Sequence, residues 1–275
     1  MWEATEYELL DFGAGRKLER FGPLWLDRPC PAADGHSKDD PALWSQVDAV
    51  IDAKAKTPKL NTPQAWQIRF DSIHFALKVT PYGHVGVFPE QATNWRWLQT
   101  WLHSRMQANP GKSLQALNLF AYTGGTTLAM AHCGAHCIHV DASEPAVRWA
   151  RENAAISDMH ELPIRWITED VPKFVSREKR RKNSYDLIAL DPPAFGHGPK
   201  GQQWNLAEDL PTLLQQCTEL LREDGRILLS AHCTQPTQQE ICDWFFSATG
   251  KRPESDRLSL QTISGRKLDA GFFCR

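Results

Sequence analysis

The stretch Leu117-Asn118-Leu119-Phe120-Ala121-Tyr122-Thr123-Gly124-Gly125-Thr126-Thr127-Leu128-Ala129 decides the fold. Leu117 to Ala121 is a short apolar run of the kind that forms a buried strand. Tyr122-Thr123-Gly124-Gly125 reads as a tight turn, because glycine lacks a Cβ and accepts φ > 0. From Thr126 onward the chain reads as a helix. Strand, glycine turn and helix is how an α/β sheet cradles a nucleoside-bearing ligand. The backbone lies close to the ligand, and the unpaired amides of the helix start point at it. The G-x-G-x-x-G spacing of dinucleotide turns is absent.

Downstream, strands and helices alternate. Strands are expected at Leu114–Ala121, His136–Val140, Ile164–Ile167, Asp186–Leu190 and Arg226–Ser230, with two short ones near 257–263 and 270–274. Helices are expected at 125–133, 144–157, from Asp170 onward, at 207–222 and at 235–248. Ser143 caps the second of these and Pro145 fits its first turn. This alternation predicts an α/β fold with a Rossmann-like, seven-stranded, mostly parallel sheet covered on both faces.

Upstream the pattern changes. Leu18 and Phe21 face inward, while Arg16, Lys17 and Arg20 face solvent. Trp66 to Val79 alternates as two strands around Asp71-Ser72. A further strand is expected at Val85-Gly86-Val87-Phe88, then a helix from Ala92 to Met106 with Trp95, Leu98 and Leu102 on one stripe. Residues 1–105 are therefore expected to form a small β-rich domain with a linking helix, and residues 106–275 the ligand-binding domain.

The 275 residues carry a formal charge of −2 and 41 % hydrophobic content, enough for a packed core. No apolar run approaches the roughly 18 residues that cross a membrane. The N-terminus lacks a signal-peptide core. Seven cysteines without paired spacing predict reduced thiols in a cytoplasmic protein. His132-Cys133, His136-Cys137 and His139 are not read as a metal site, because the passage from helix to strand scatters them over different faces.

Acids end the strands that follow the glycine turn. Asp141, in Val140-Asp141-Ala142-Ser143, can accept hydrogen bonds from ribose hydroxyls, or it can close an Asx turn. Glu169-Asp170 can accept the exocyclic amine of adenine, or Asp170 can simply cap its helix. These positions suit NAD and S-adenosylmethionine alike. Asp191-Pro192-Pro193-Ala194-Phe195 discriminates between them. Its prolines fix φ and remove amide donors, leaving a carboxylate and open carbonyls beside an aromatic face. That suits a flat, amine-bearing substrate next to the cofactor, and hydride transfer has no use for it.

Asn118 to Gly125, Val140-Asp141-Ala142-Ser143, Glu169-Asp170 and Asp191 to Phe195 together resemble class I S-adenosylmethionine-dependent methyltransferases. The nearest resemblance is to the group containing bacterial large-subunit ribosomal RNA cytosine-C5 methyltransferases, and it covers most of residues 66–275. It implies S-adenosylmethionine as cofactor, held by Phe120, Tyr122, Thr123, Gly124, Gly125, Asp141, Ala142, Ser143, Glu169, Asp170, Asp191 and Pro192. Gly86-Val87-Phe88-Pro89-Glu90-Gln91 resembles the strand that precedes the catalytic domain in that group, which adds Phe88 and Gln91 to the pocket. The N-terminal RNA-binding domain of the cytosine enzymes is not expected here. Gly15–Gly22, Gly198-Pro199-Lys200-Gly201 and Ser230-Ala231-His232 look instead like a shorter bacterial branch.

Two mechanisms stay open. Cys233 matches the position of the family's catalytic cysteine and would add to C6 of cytosine as a thiolate. Alternatively, a substrate amine, ring nitrogen or hydroxyl attacks directly, oriented by Asp191 and the Pro192 carbonyl and stacked on Phe195. The expected substrate is RNA, most naturally ribosomal, contacted through Lys173, Arg177, Lys179, Arg180 and Lys200. The run Arg177 to Lys182 can equally be a solvated helix end. A protein or small-molecule substrate, a cofactor-binding RNA protein without turnover, and an NAD enzyme are the alternatives.

Overall fold

The structure, a computed structural model, describes residues 1–51, 66–80, 83–198 and 201–275. Two compact units divide the chain. One comprises Met1–Thr93 with Leu258–Ala270, the other Asn94–Arg257 with Gly271–Arg275. The boundary expected near residue 105 falls inside helix α1, Ala92–Ala108, and part of the C-terminal hairpin groups with the N-terminal residues.

In the first unit, β1 (Tyr7–Gly13), β2 (Arg16–Phe21), β3 (Leu24–Pro29) and β4 (Ala49–Val50) pair in that order. Ala14 and Gly15, at φ 52° and 72°, make the two-residue turn between β1 and β2, where the left-handed region matches the twist of the strands. A second hairpin, β5 (Trp66–Phe70) and β6 (Ile73–Leu77), turns at Asp71 with φ 52°. Phe12, Phe21, Phe70 and Phe75 fill this unit's core with Leu18 and Leu26.

The side chains of Arg16, Lys17 and Arg20 are half-buried rather than free in solvent. Each is drawn onto the sheet by an acid: Asp27 for Arg16, Glu19 for Lys17 and Glu8 for Arg20. Val85–Phe88 forms no strand. Gly86 sits at φ 106° and Pro89 opens a single 3-10 turn, so no regular ladder continues through it.

Asp11 is the polar hub of this unit. Its carboxylate accepts from the amides of Phe12, Asp39 and Asp40, from Trp44 Nε1 at 2.8 Å and from Arg266 Nη1 at 3.1 Å. Arg266 also donates to the carbonyls of Phe12 and Ser37 and lies 4.1 Å over the Phe12 ring.

The second unit carries the alternating region: β7 (Gln115–Leu119), α2 (Gly125–His132), β8 (His136–Asp141), α3 (Glu144–Ile156), β9 (Ile164–Thr168), α4 (Val171–Arg181) and β10 (Tyr185–Leu190). A short hairpin follows, β11 (Phe195–His197) and β12 (Gln203–Asn205). Then come α5 (Leu206–Glu219), β13 (Leu221–Ala231) and α6 (Gln238–Thr249), and β14 (Ser255–Gln261) and β15 (Lys267–Cys274) complete the chain. The seven-stranded sheet runs β14-β15-β13-β10-β7-β8-β9, with β15 antiparallel to β13 and the strands from β13 to β9 parallel. This is the expected Rossmann-like α/β sheet. Leu117, Leu119, Ile188, Leu190, Leu229 and Phe174 form its core. Strand β13 begins at Leu221, five residues before the expected start, because Leu221 pairs with Tyr185 ahead of a register shift.

Removing Arg266 leaves the buried Asp11 carboxylate with one charge partner fewer. Arg266→Met is expected to lower stability by about 2–3 kcal/mol, read by denaturant unfolding. Burial pushes the Asp11 carboxyl up, but hydrogen bonds from Trp44 and the amides of Asp39, Asp40 and Phe12 outweigh it and hold the group below its ordinary value. Its stabilisation is therefore present above the ordinary aspartate range and lost as pH falls through the lowered value. The gap between wild type and Arg266→Met should narrow in strong acid, leaving the part due to the Phe12 and Ser37 contacts.

Candidate active site

Five neighbouring parallel strands bring their carboxyl ends to one edge of the sheet. In spatial order they deliver Glu169-Asp170 after β9, Asp141 at the end of β8, the glycine turn after β7, Asp191 after β10 and His232-Cys233 after β13. This edge is where open α/β sheets bind ligands.

The glycine turn is strained and tied down. Phe120, Tyr122 and Gly124 adopt φ of 54°, 46° and 88°, so two non-glycine residues occupy the left-handed region. Asp141 accepts the amide of Tyr122 at Oδ2 and that of Ser143 at Oδ1, both at 2.8 Å. The Ser143 bond is the expected Asx turn, yet each oxygen keeps a further lone pair for a ligand hydroxyl. Burial pushes the Asp141 carboxyl above its ordinary value, partly offset by those two amides. Asn153 Nδ2 holds the Thr123 carbonyl at 2.9 Å.

Beneath the turn, Asn118 Nδ2 donates to Thr127 Oγ1 at 2.8 Å, and Thr127 Oγ1 lies 3.0 Å from His139 Nδ1. Burial pushes the His139 imidazole down to about 3, so it is neutral structure. Among the described residues no group of three or more His, Cys, Asp or Glu side chains converges as a metal site.

Helix α2 starts from Gly124 with no side chain capping it, so its first amides are available to an anionic group. The other acids are more committed. Asp170 caps α4 through the Lys173 amide at 3.1 Å, and Glu169 pairs with Arg177 and, at 3.8 Å, with Lys173. Lys179 pairs with Glu219 at 2.9 Å, while Arg180 is exposed. Lys200 lies outside the described residues. Ser143 caps α3, accepting from Ala146, and Ala142 lies between it and Asp141. Phe88 and Gln91 belong to the first unit. Gln91 is buried there, and the Phe88 ring sits edge-on to His84 at 5.2 Å.

The Asp191 corner adjoins the turn, since the Asp191 amide reaches the Leu119 carbonyl at 3.4 Å. Trp204, on β12, braces both sides. Its Nε1 donates to the Pro193 carbonyl at 2.7 Å and its ring lies 4.8 Å from Phe120. The sequence offered no signal for Trp204 beyond one aromatic in a polar stretch. Among the described residues, nothing donates to the Pro192 carbonyl, and Phe195 is 75 % exposed. His232 Nε2 lies 3.8 Å from Asp191 Oδ1. The Cys233 thiol donates to the Pro236 carbonyl at 3.3 Å, and burial raises its pKa, with Arg257 a smaller opposing influence.

A profile described as S-adenosylmethionine-dependent methyltransferase matches residues 52–252. The chain belongs to this family. Its parts suit that cofactor: an uncapped helix start for a carboxylate and an acceptor-only acid at the end of β8 for a ribose. Among solved structures, a SAM-dependent methyltransferase from Agrobacterium tumefaciens is 33 % identical, with a TM-score of 0.89 over 98 % of this chain and 89 % of that one. SMU.776, crystallised with SAH, is 17 % identical with a TM-score of 0.73 over 98 % and 76 %, and shares the fold. Ribosomal RNA large subunit methyltransferase K/L of Shewanella sp. (strain ANA-3) is 30 % identical over 159 residues, 57 % of this chain and 21 % of that protein. Its namesake from Pseudoalteromonas atlantica is 30 % identical over 193 residues, 69 % and 26 %. The chain thus spans about a quarter or less of the length of these curated relatives. Among the described residues no helix is long and apolar enough to cross a membrane.

A Cβ added at Gly124 would lie 2.9 Å from the Ala150 Cβ, at a φ that L side chains resist. Gly124→Ala should cost about 2–4 kcal/mol of stability, visible as a lower denaturation midpoint with an unchanged slope.

Proposed function

We propose that this chain transfers the methyl group of S-adenosylmethionine to a nitrogen of an RNA base, in ribosomal RNA of the large subunit. The observation that carries this is the Asp191 corner. A carboxylate, a Pro192 carbonyl with no donor among the described residues and an exposed Phe195 face stand together beside the glycine turn. The named activity of the K/L relatives supports the choice of RNA.

The bound cofactor supplies a methyl already activated on a sulfonium, so the protein's part is alignment and exclusion of water. The amides at the start of α2 hold the cofactor's carboxylate and Asp141 its ribose hydroxyls. Phe120, Tyr122, Thr123, Gly124 and Gly125 form the cradle, and Ala142-Ser143 and Glu169-Asp170 border the adenine. On the substrate side, Phe195 stacks the base. Asp191 and the Pro192 carbonyl accept hydrogen bonds from its amine or ring N–H, which turns the nitrogen lone pair toward the methyl. The proton released on N-methylation passes to the Asp191–His232 pair. Of the described cations expected to meet the backbone, Arg180 is exposed, while Lys173, Arg177 and Lys179 are engaged by acids.

The cytosine-C5 route through Cys233 is the weaker reading. It needs a thiolate, and burial favours the thiol here. Cys233→Ala should therefore keep methyl transfer within a few-fold of wild type, whereas Asp191→Ala should lower it about 100-fold or more. The opposite ranking, measured with saturating cofactor, would revive the cysteine mechanism. Comparing the methylated nucleosides of ribosomal RNA from cells with and without the protein tests the substrate. The disappearance of one N-methyl base is expected, and an unchanged spectrum overturns the RNA reading.

Cofactor binding has its own pH signature. Asp141 accepts ribose hydroxyls most strongly when ionised, and its pKa is raised by burial. Calorimetric affinity for S-adenosylhomocysteine should fall as pH drops through a value above the ordinary aspartate range. Asp141→Asn should bind more weakly and lose this acid limb.

A further inference from the structure

At the amino-terminal edge of the sheet, opposite the glycine turn, a cavity of about 450 Å³ lies at the start of β13 and the ends of α5 and α6. Five cations line it, Arg222, Arg226, Lys251, Arg252 and Arg275, against one lining acid, Glu223. Arg222 is paired with Asp186 and Arg275 with Glu254. Setting these three acids against the five cations leaves two positive charges facing a concave surface.

The cations are not interchangeable. Arg226, Lys251 and Arg252 have no carboxylate partner among the described residues. Arg275 is held rigidly. Its Nε and Nη2 donate to Glu254 at 3.2 and 2.7 Å, and its guanidinium lies 4.8 Å from the Trp97 ring and 4.2 Å from that of Phe273. Its third nitrogen, Nη1, is buried with no acceptor among the described residues. A buried guanidinium N–H without an acceptor is costly, and an anion oxygen would satisfy it.

A plainer explanation covers part of the pattern. Lys251 and Arg252 follow the carboxyl end of α6, where cations offset the helix dipole. It accounts for neither Arg226, which comes from β13, nor the unsatisfied Nη1. Several cations lining one hollow, one of them held in place by stacking, make a surface that suits a tetrahedral oxyanion.

We propose that this cavity is a phosphate-binding site, in which Arg226, Lys251 and Arg252, beside the lining Arg275, take a phosphate group from an RNA backbone or from free phosphate. The site does not depend on the methyl-transfer reading.

The test uses the full chain in three forms: wild type, the triple variant R226A/K251A/R252A, and R148A as a control at an exposed cation on α3. Each is titrated with inorganic phosphate by calorimetry, and with a short oligouridylate at several salt concentrations. Circular dichroism and S-adenosylhomocysteine affinity, both expected unchanged, report folding and the distant cofactor site. The single variant R226A serves if the triple does not fold. The triple variant should weaken binding about tenfold or more and flatten the dependence of log K on log salt by roughly 0.7 for each phosphate it no longer neutralises, while R148A matches wild type. Weakening confined to oligouridylate assigns the site to an RNA backbone, and weakening of inorganic phosphate binding assigns it to a free phosphate group. If wild type binds neither probe, or if the variants bind both as wild type does, the proposal is overturned.

Discussion

One carboxylate holds the working edge of this sheet in shape. Asp141 receives the amide of Tyr122 on one oxygen and that of Ser143 on the other, so a single side chain clamps the turn after β7 and the start of α3 together. Phe120 and Tyr122 would not keep left-handed backbone without such restraint. The cost of burying that charge is only partly offset by the two amides. The same residue shapes the turn and, in the proposed reaction, offers acceptors to the cofactor, which a hydrophobic side chain could not do.

The substrate side is built on the same economy. Trp204 closes over Phe120 and donates to the Pro193 carbonyl, so the Asp191 corner and the glycine turn share one brace. That leaves the Phe195 face exposed while the backbone around it is fixed. Rigid surroundings with a few exposed groups are what an in-line displacement needs, because misalignment is its chief penalty.

The parts legible in the sequence were those with local causes. Alternating apolar runs and helix starts at Ser143 and Asp170 put every strand of the sheet close to its observed place. Gly124 and Asp141 announced the tight turn after β7 and the acid at the end of β8. Features with distant causes were not legible. Arg266 meets Asp11 across most of the chain, so no window of sequence links them. Glu169 looks like a free acceptor until α4 folds back and Arg177 reaches it. Val85–Phe88 has strand-like composition, but Gly86's positive φ and the following Pro89 prevent a ladder. His232 stood out only as part of Ser230-Ala231-His232, whereas its ring lies 3.8 Å from Asp191, at the end of the adjacent strand.

The approach of Gly124 to Ala150 has a bearing on how such a chain can diverge. The glycine has no room for a methyl, because a Cβ there would lie 2.9 Å from the Ala150 Cβ on α3. A larger residue at 150 would therefore need the turn to retreat from the helix, and with it the amides above. The two positions, far apart in sequence, behave as one locus under selection: related chains should vary them jointly or leave both untouched.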